Sequence, residues 1–274
     1  MLAATGRRRG IRVLAGLVLA ALLGACAEEG DQEPAPPVNE LRVVTSGGFS
    51  SAYNRLAPRF EETTGIRVVT EYGASTGGAT DSIPERLARG EQFDVVILSR
   101  SSLDRLTEAG HVLPESRTDL VRSLIGTAVR EGAEVPDIAT PEQFVEALLA
   151  AGSIGYSASV SGTYLATDLF PRLGLWEQLE SKSERIVSER VAAVVARGDV
   201  EIGFQQISEI LAVEGATLVG PIPDDYQKVT TFSTGVTTKA ANPAAARRLI
   251  DYLAWVGNAP VIAATGLEPV AAER

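Results

Sequence analysis

LRVVTSGGFSSAYNRLAPRF, residues 41–60, runs from a strand through a glycine–serine turn into a helix, and that succession sets the reading of the whole chain. Leu41–Thr45 has the valine-rich, short pattern of a strand. Phe49, Tyr53, Leu56 and Phe60 then recur at spacings of 4, 3 and 4, which puts them on one helical face. Pro58 falls inside that helix, where a missing N–H is expected to kink it or end its regular ladder. Gly65 closes the helix, and Ile66–Tyr72 follows as a second strand.

Outward from this unit the alternation continues. A helix is expected around Ile83–Arg89, and a strand over Phe93–Leu98, whose nearly all-apolar sequence suits burial on both faces of a parallel sheet. Ser101–Ala109 reads as the next helix and Leu124–Val129 as the next strand. Thr140, Pro141 and Gln143 make a helix start with a capping box, and that helix is expected to run to about Ala151. Ser153–Tyr156, Glu201–Phe204 and Ala216–Val219 read as strands, and Gly162–Leu173 and Ile207–Val213 as helices. Ser188 is expected to cap a helix carrying Val191, Val194 and Val195 that Gly198 stops. A long β run, Lys228–Thr238, precedes a closing helix that starts at Asn242-Pro243 and buries Ala246, Leu249, Ile250 and Leu253. This alternation defines an α/β fold with mostly parallel sheets. No repeat of roughly 20–50 residues appears, which excludes a solenoid.

Three strand-to-helix junctions are packed with glycine and hydroxyl residues: Thr45–Ser51 (TSGGFSS), Gly73–Thr80 (GASTGGAT) and Ser157–Tyr164 (SASVSGTY). In open α/β sheets ligands bind outside the carboxyl ends of the strands, where helix-start N–H groups favour anions. Glycine admits close backbone approach, and Ser or Thr adds neutral donors. The expected ligand is therefore a small anion. Ser46, Ser50, Ser75, Thr76, Ser161 and Thr163 are the hydroxyl candidates on these loops.

The N-terminus speaks to location. Arg7, Arg8, Arg9 and Arg12 precede the apolar run Val13–Leu23, which is followed by small residues and by Cys26, the one cysteine of the 274-residue chain. A basic start, a short apolar stretch and a small-residue cleavage site make a secretory signal over residues 1–25. The segment resembles the lipobox of bacterial lipoproteins, and that resemblance implies acylation of Cys26 and anchoring of the chain to a membrane surface outside the cytoplasm. Residues 26–40 continue as an acidic, proline-rich tether. Without the signal the chain carries 21 basic against 35 acidic residues, a net charge of −14, which disfavours nucleic acid as a partner.

Further segments carry a family likeness: Phe60-Glu61-x-x-Thr64-Gly65, Gly90-Glu91-x-Phe93-Asp94-Val95, Ser161-Gly162-Thr163-Tyr164, Gly174-Leu175-Trp176 and Val194-Val195-x-x-Gly198-x-x-x-Ile202-Gly203. In this order and spacing they resemble the solute-binding components of bacterial ABC importers, in the branch that contains the molybdate-binding proteins. The resemblance covers Leu41–Pro269. It implies a type II periplasmic-binding fold, with two α/β lobes joined by crossovers near Arg122 and Lys228. Lobe 1 then comprises residues 41–122 plus 228–274, and lobe 2 residues 123–227. It also implies a monomer that works with an ABC permease and takes no cofactor. By position, the family's ligand contacts fall at Gly48, at Ser75 or Thr76, at Ser161 and at Ser188, with Gln206 in place of a tyrosine.

Two arginines open an alternative to a molybdate-type oxyanion. Arg100 follows the third strand, and Arg122 lies at the expected hinge. Arginine's planar fork matches a carboxylate, so a small di- or tricarboxylate is the second candidate ligand. Catalysis is not expected. His111 is the one histidine and sits at an exposed helix end; no Gly-x-Ser-x-Gly elbow, P-loop lysine or cluster of metal ligands occurs. A structural or adhesive lipoprotein is the remaining class, and it has no use for a polar, glycine-lined cleft.

Overall fold

The computed structural model describes residues 39–76, 79–187 and 189–270. The signal segment, Cys26 and Ser188 lie outside the described residues.

The opening unit forms as its sequence predicts. Strand β1 (Glu40–Thr45) leads into helix α1 (Gly47–Thr64), which buries Phe49, Tyr53, Leu56 and Phe60. Gly65 ends it in a left-handed conformation, φ 70°. The helix continues through Pro58, against expectation. Pro58 lies on the exposed face beside exposed Asn54, whose carbonyl loses its helical donor where solvent can reach it. Next come β2 (Arg67–Tyr72), α2 (Ile83–Ala88), β3 (Val95–Ser99) and α3 (Arg100–Glu108).

β3 shows why the sheet has two covered faces. Val95 and Ile97 pack with Phe49, Leu56 and Phe60 on one side, while Val96 and Leu98 pack with Ile83, Leu87 and Leu103 on the other. Strand β4 (Thr118–Ser123) has no counterpart in the sequence-level expectations; there Arg122 marked a connection, whereas it stands within this strand.

The chain then changes sheets within one residue. β5 (Ile125–Arg130) starts the second sheet, followed by α4 (Pro141–Ala150), β6 (Ile154–Ser157) and α5 (Val160–Tyr164). α4 has the complete Thr140–Gln143 capping box. The helical run expected over Gly162–Leu173 begins at Val160, passes through a π-helical turn at Leu165–Leu169 and ends as α6 (Phe170–Arg172). α7 (Trp176–Leu179), β7 (Ser183–Ile186), α8 (Val191–Arg197), β8 (Ile202–Gln206), α9 (Ile207–Ile210) and β9 (Ala216–Pro221) complete this half. Arg190 stands at the N-cap of α8, the place the sequence reading assigned to Ser188. The chain returns to the first sheet with β10 (Thr230–Val236), α10 (Pro243–Leu253), α11 (Ala259–Ala263) and the short β11 (Glu268–Pro269).

The strand orders are β11-β4-β10-β3-β1-β2 and β7-β6-β8-β5-β9. Each sheet with its helices is an α/β lobe, and the chain passes between the lobes twice. The expectation of mostly parallel sheets needs correction: β1–β2, β1–β3, β6–β7 and β6–β8 are parallel, but β10 and β5 each pair antiparallel with both their neighbours. A helical crossover makes neighbouring strands parallel. β5 and β10 enter their sheets from the other lobe without one, and so run the opposite way.

The Gln227 side chain stitches the two connections together. Its Oε1 accepts from the Ile125 N–H at 2.8 Å, and its Nε2 donates to the Ile125 carbonyl at 3.0 Å. A third link joins α9 of one lobe to α1 of the other: Ser208 Oγ donates to the Gly48 carbonyl at 2.7 Å, and Ser51 Oγ to the Ser208 carbonyl at 3.1 Å.

Candidate ligand-binding cleft

Five strand ends converge on one cavity of about 250 Å³: those of β1 and β2 in the first lobe and β6, β7 and β8 in the second. This is the general consequence of α/β topology, which collects strand-to-helix junctions at the carboxyl edge.

From β1 the chain turns at Ser46 into the N-terminus of α1, an 18-residue helix whose first N–H groups have no helical acceptor. Ser46 is 2% exposed, and its Oγ has no hydrogen-bond partner in the protein. Gly48 is required there because a Cβ would collide with the ring of Phe232 on β10. After β2, Ser75 Oγ accepts the Ser99 N–H at 3.0 Å, so its own O–H remains available to donate. Thr76 stands beside it on the same wall.

The second lobe supplies the other wall. After β6, Ser157 Oγ and Ser161 Oγ lie 3.2 Å apart, and the Gly162 N–H donates to Ser157 Oγ at 3.3 Å. After β8, Gln206 is buried; Nε2 contacts Thr230 Oγ1 at 3.2 Å while Oε1 has no partner. Turning that amide by half a rotation keeps the contact with Thr230, whose hydroxyl then donates, and puts the amide NH₂ where the unpartnered oxygen stands.

Each wall carries charge, Asp81 on the first and Glu189, Arg190 and Glu209 on the second, and the cation belongs to the second. After β7, Arg190 is the one cation among the described lining residues, and its Nη2 donates to Ser50 Oγ across the cleft at 3.1 Å. Ser50 Oγ in turn donates to the Gly47 carbonyl at 2.7 Å, so this hydroxyl holds the arginine in place. Glu209, the third residue of α9, also lines the cavity. Burial pushes its carboxyl up to about 7; Arg190, the Gln205 side chain and the Gln206 N–H oppose that rise without cancelling it. Its carboxylate approaches the first turn of α1 so closely that a Cβ on Gly47 would overlap Oε1.

Of the sequence candidates, Ser46, Gly48, Ser50, Ser75, Thr76, Ser161 and Gln206 line the cavity. Thr163 does not: it lies further along α5, with Oγ1 at 3.5 Å from the Ala158 carbonyl. Neither Arg100 nor Arg122 reaches it. Arg100 pairs with Asp119 at 3.0 Å and Arg122 lies 4.0 Å from Glu268, both with about half of the side chain exposed. Each points away from the cleft because its register position on α3 or β4 faces solvent. Arg190 and Glu209 were missed in the sequence. Gln206-x-x-Glu209 spans N-cap to N3 of a helix, and that spacing is the signal that could have drawn attention to Glu209.

A cleft between two α/β lobes, lined by helix N-termini, hydroxyls and one arginine, is the equipment of a receptor for a small anion. The chain belongs to the bacterial extracellular solute-binding proteins, matching that family over residues 41–268. It is 44% identical over 239 residues to an aconitate isomerase of a Pseudomonas species, covering 87% of this chain and 91% of that one. It is 27% identical over 233 residues to the molybdate-binding protein ModA of Azotobacter vinelandii, covering 83% and 89%. The solved periplasmic molybdate-binding protein of Azotobacter vinelandii superposes with a TM-score of 0.68 at 22% identity, covering 83% of this chain and 98% of that one. The resemblance to the molybdate-binding branch and its two-lobed fold is thereby borne out.

Proposed function

We propose that this chain binds a small tricarboxylate of the aconitate type in the interlobe cleft, outside the cytoplasm, and interconverts its geometric isomers. Arg190 carries the reading. A tetrahedral dianion such as molybdate can be held by neutral donors alone, whereas a guanidinium fork in the cleft matches a planar carboxylate with two parallel hydrogen bonds. The sequence had tied the carboxylate alternative to Arg100 and Arg122; Arg190 takes over that role. Ser46, Ser75, Ser161 and the α1 N-terminus are the neutral donors for the remaining carboxylates. The relative at 44% identity supports both the ligand class and the conversion.

The expectation that the chain is not an enzyme rested on the absence of a catalytic histidine, a nucleophile elbow and metal ligands. Moving a double bond along a polycarboxylate needs none of these; it needs a base and a place for negative charge. Capture of a molybdate-type oxyanion for an ABC permease is the second reading, supported by the molybdate-binding relatives and the neutral donors. In either case the lobes close by bending at the paired connections held by Gln227, and an acylated Cys26 keeps the protein at the membrane.

A thermal-shift series with cis- and trans-aconitate, citrate, succinate, molybdate, tungstate and sulfate tests the ligand. At 100 times Kd a ligand adds about 2.7 kcal/mol, enough for a shift of roughly 5–10 °C in a domain of this size. Stabilisation by aconitate is the expected result; stabilisation by molybdate or tungstate alone overturns it.

A further inference from the structure

We propose that Glu209 is the group that carries the proton between the two ends of the bound tricarboxylate. The inference rests on the aconitate reading above and names the residue that would perform the conversion. Three observations converge on this side chain. It lines the ligand cavity, it faces the first turn of α1 beside Gly47, and Arg190 lies near it on the same wall. A glutamate at the third position of a helix usually reaches back to cap it and stays ionised. Glu209 does reach the Gln206 N–H, yet burial wins and brings the carboxyl to about 7, where it can both accept and return a proton.

The groups that face it are few. α1 presents Gly47, Gly48 and Ser50, which do not titrate, and β10 presents Phe232. β8 presents Gln205 and Gln206, and the segment before α8 presents Arg190. Of the other acids on the cavity, Glu189 is engaged by Arg197 at 2.7 Å, and Asp81 stands on the segment before α2.

The chemistry balances. Aconitate is a propene with a carboxylate on each carbon of its chain, so its CH₂ lies between a carboxylate and the alkene. Glu209 takes a proton from that CH₂, and the C–H electron pair joins the alkene as an allylic carbanion whose charge rests on the two end carbons and their carboxylates. Arg190 and the α1 N–H groups stabilise that charge. The proton returns to the former alkene CH at the other end, and the double bond moves by one position. No oxidant, reductant or second substrate enters. The molecule is aconitate again with its ends exchanged, and the geometry of the new double bond is set by the conformation in which the chain was held.

The test compares the full chain with Glu209→Gln and Glu209→Asp, measuring aconitate binding by calorimetry and cis–trans interconversion by NMR. Glu209→Gln is expected to bind aconitate within about threefold of the parent and to lose at least about 100-fold in interconversion. Glu209→Asp, which keeps a carboxyl at shorter reach, falls between the two and decides the matter should the Gln variant not fold. The parent's kcat/KM should rise with pH through about 7, the ionisation of free Glu209. A Gln variant with more than a tenth of the parent rate, a kcat/KM flat between pH 6 and 8, or a parent that binds aconitate without converting it overturns the role of Glu209 and leaves the binding reading standing. A parent that binds no aconitate overturns the proposed function itself.

Discussion

The two walls of the cleft are built by the same device and carry different chemistry. On the six-stranded side, Ser46, Ser75, Thr76 and the start of α1 present uncharged donors. On the five-stranded side the junctions after β7 and β8 bring Arg190 and Glu209 alongside Ser161 and Gln206. Neutral donors at helix starts accept many small anions. A fork-shaped cation and a carboxyl near neutrality narrow that range and add proton chemistry. On the proposed reading, general anion affinity falls to the first lobe, and ligand class and reactivity to the second.

The largest effect expected on binding comes from the charged wall. Arg190→Ala should weaken aconitate binding by roughly 10–100-fold, because a charge-assisted hydrogen bond is worth about 1.5–3 kcal/mol; Arg190→Lys should recover only part, since an ammonium cannot make the parallel pair. Calorimetry at low and moderate salt reads both. Equal affinity in Arg190→Ala and the parent would erase the distinction between the walls.

The charged wall should also leave a mark on stability. The folded carboxyl of Glu209 is raised from its ordinary 4.5 to about 7. A raised acid stabilises the fold fully below its unfolded pKa, and that contribution is lost as pH climbs through the folded one. In the absence of ligand, Glu209→Gln should therefore be more stable than the parent at pH 8, by an amount on the order of 3 kcal/mol, and close to it at pH 4.5. Calorimetric melting curves across this range check the sign.

Effects on the neutral wall should be smaller. Ser46 Oγ is buried without a partner, so Ser46→Ala removes nothing that the empty fold uses. It should lower affinity about fivefold, the worth of one hydrogen bond, while melting temperature stays level or rises. Smallest of all, Arg100→Ala and Arg122→Ala should leave affinity within twofold, because their ion pairs are exposed and far from any ligand role. A tenfold loss in either would show that the closed cleft recruits a cation from outside the present lining.

Much of this could be read in residues 41–60 and their echoes. Ser46, Gly48, Ser75, Thr76 and Ser161 line the cavity because each follows a strand and opens a helix or loop at the carboxyl edge, and topology alone brings such places together. Arg100, Arg122 and Thr163 were chosen for residue type or for nearness to a junction, and both grounds fail where the local register turns a side chain outward. Arg190 was overlooked two residues from Ser188, since a cation among many surface charges has no mark of its own. Glu209 was overlooked because its spacing from Gln206 also suits a routine helix cap.

The sequence by itself determined the strand–helix order, the helix starts at Thr140 and Asn242, the stops at Gly65 and Gly198, and the glycine–hydroxyl junctions. These depend on local periodicity and on backbone conformations that few residues adopt. The tertiary structure alone decided that β5 and β10 run against their neighbours and that Arg190 reaches Ser50 across the cleft. It also decided that Glu209 is pressed against Gly47 on the cavity wall, half-buried, where its carboxyl is raised above its ordinary value. Each of these depends on partners far apart in the chain, and the charge state of a buried group is set by what surrounds it.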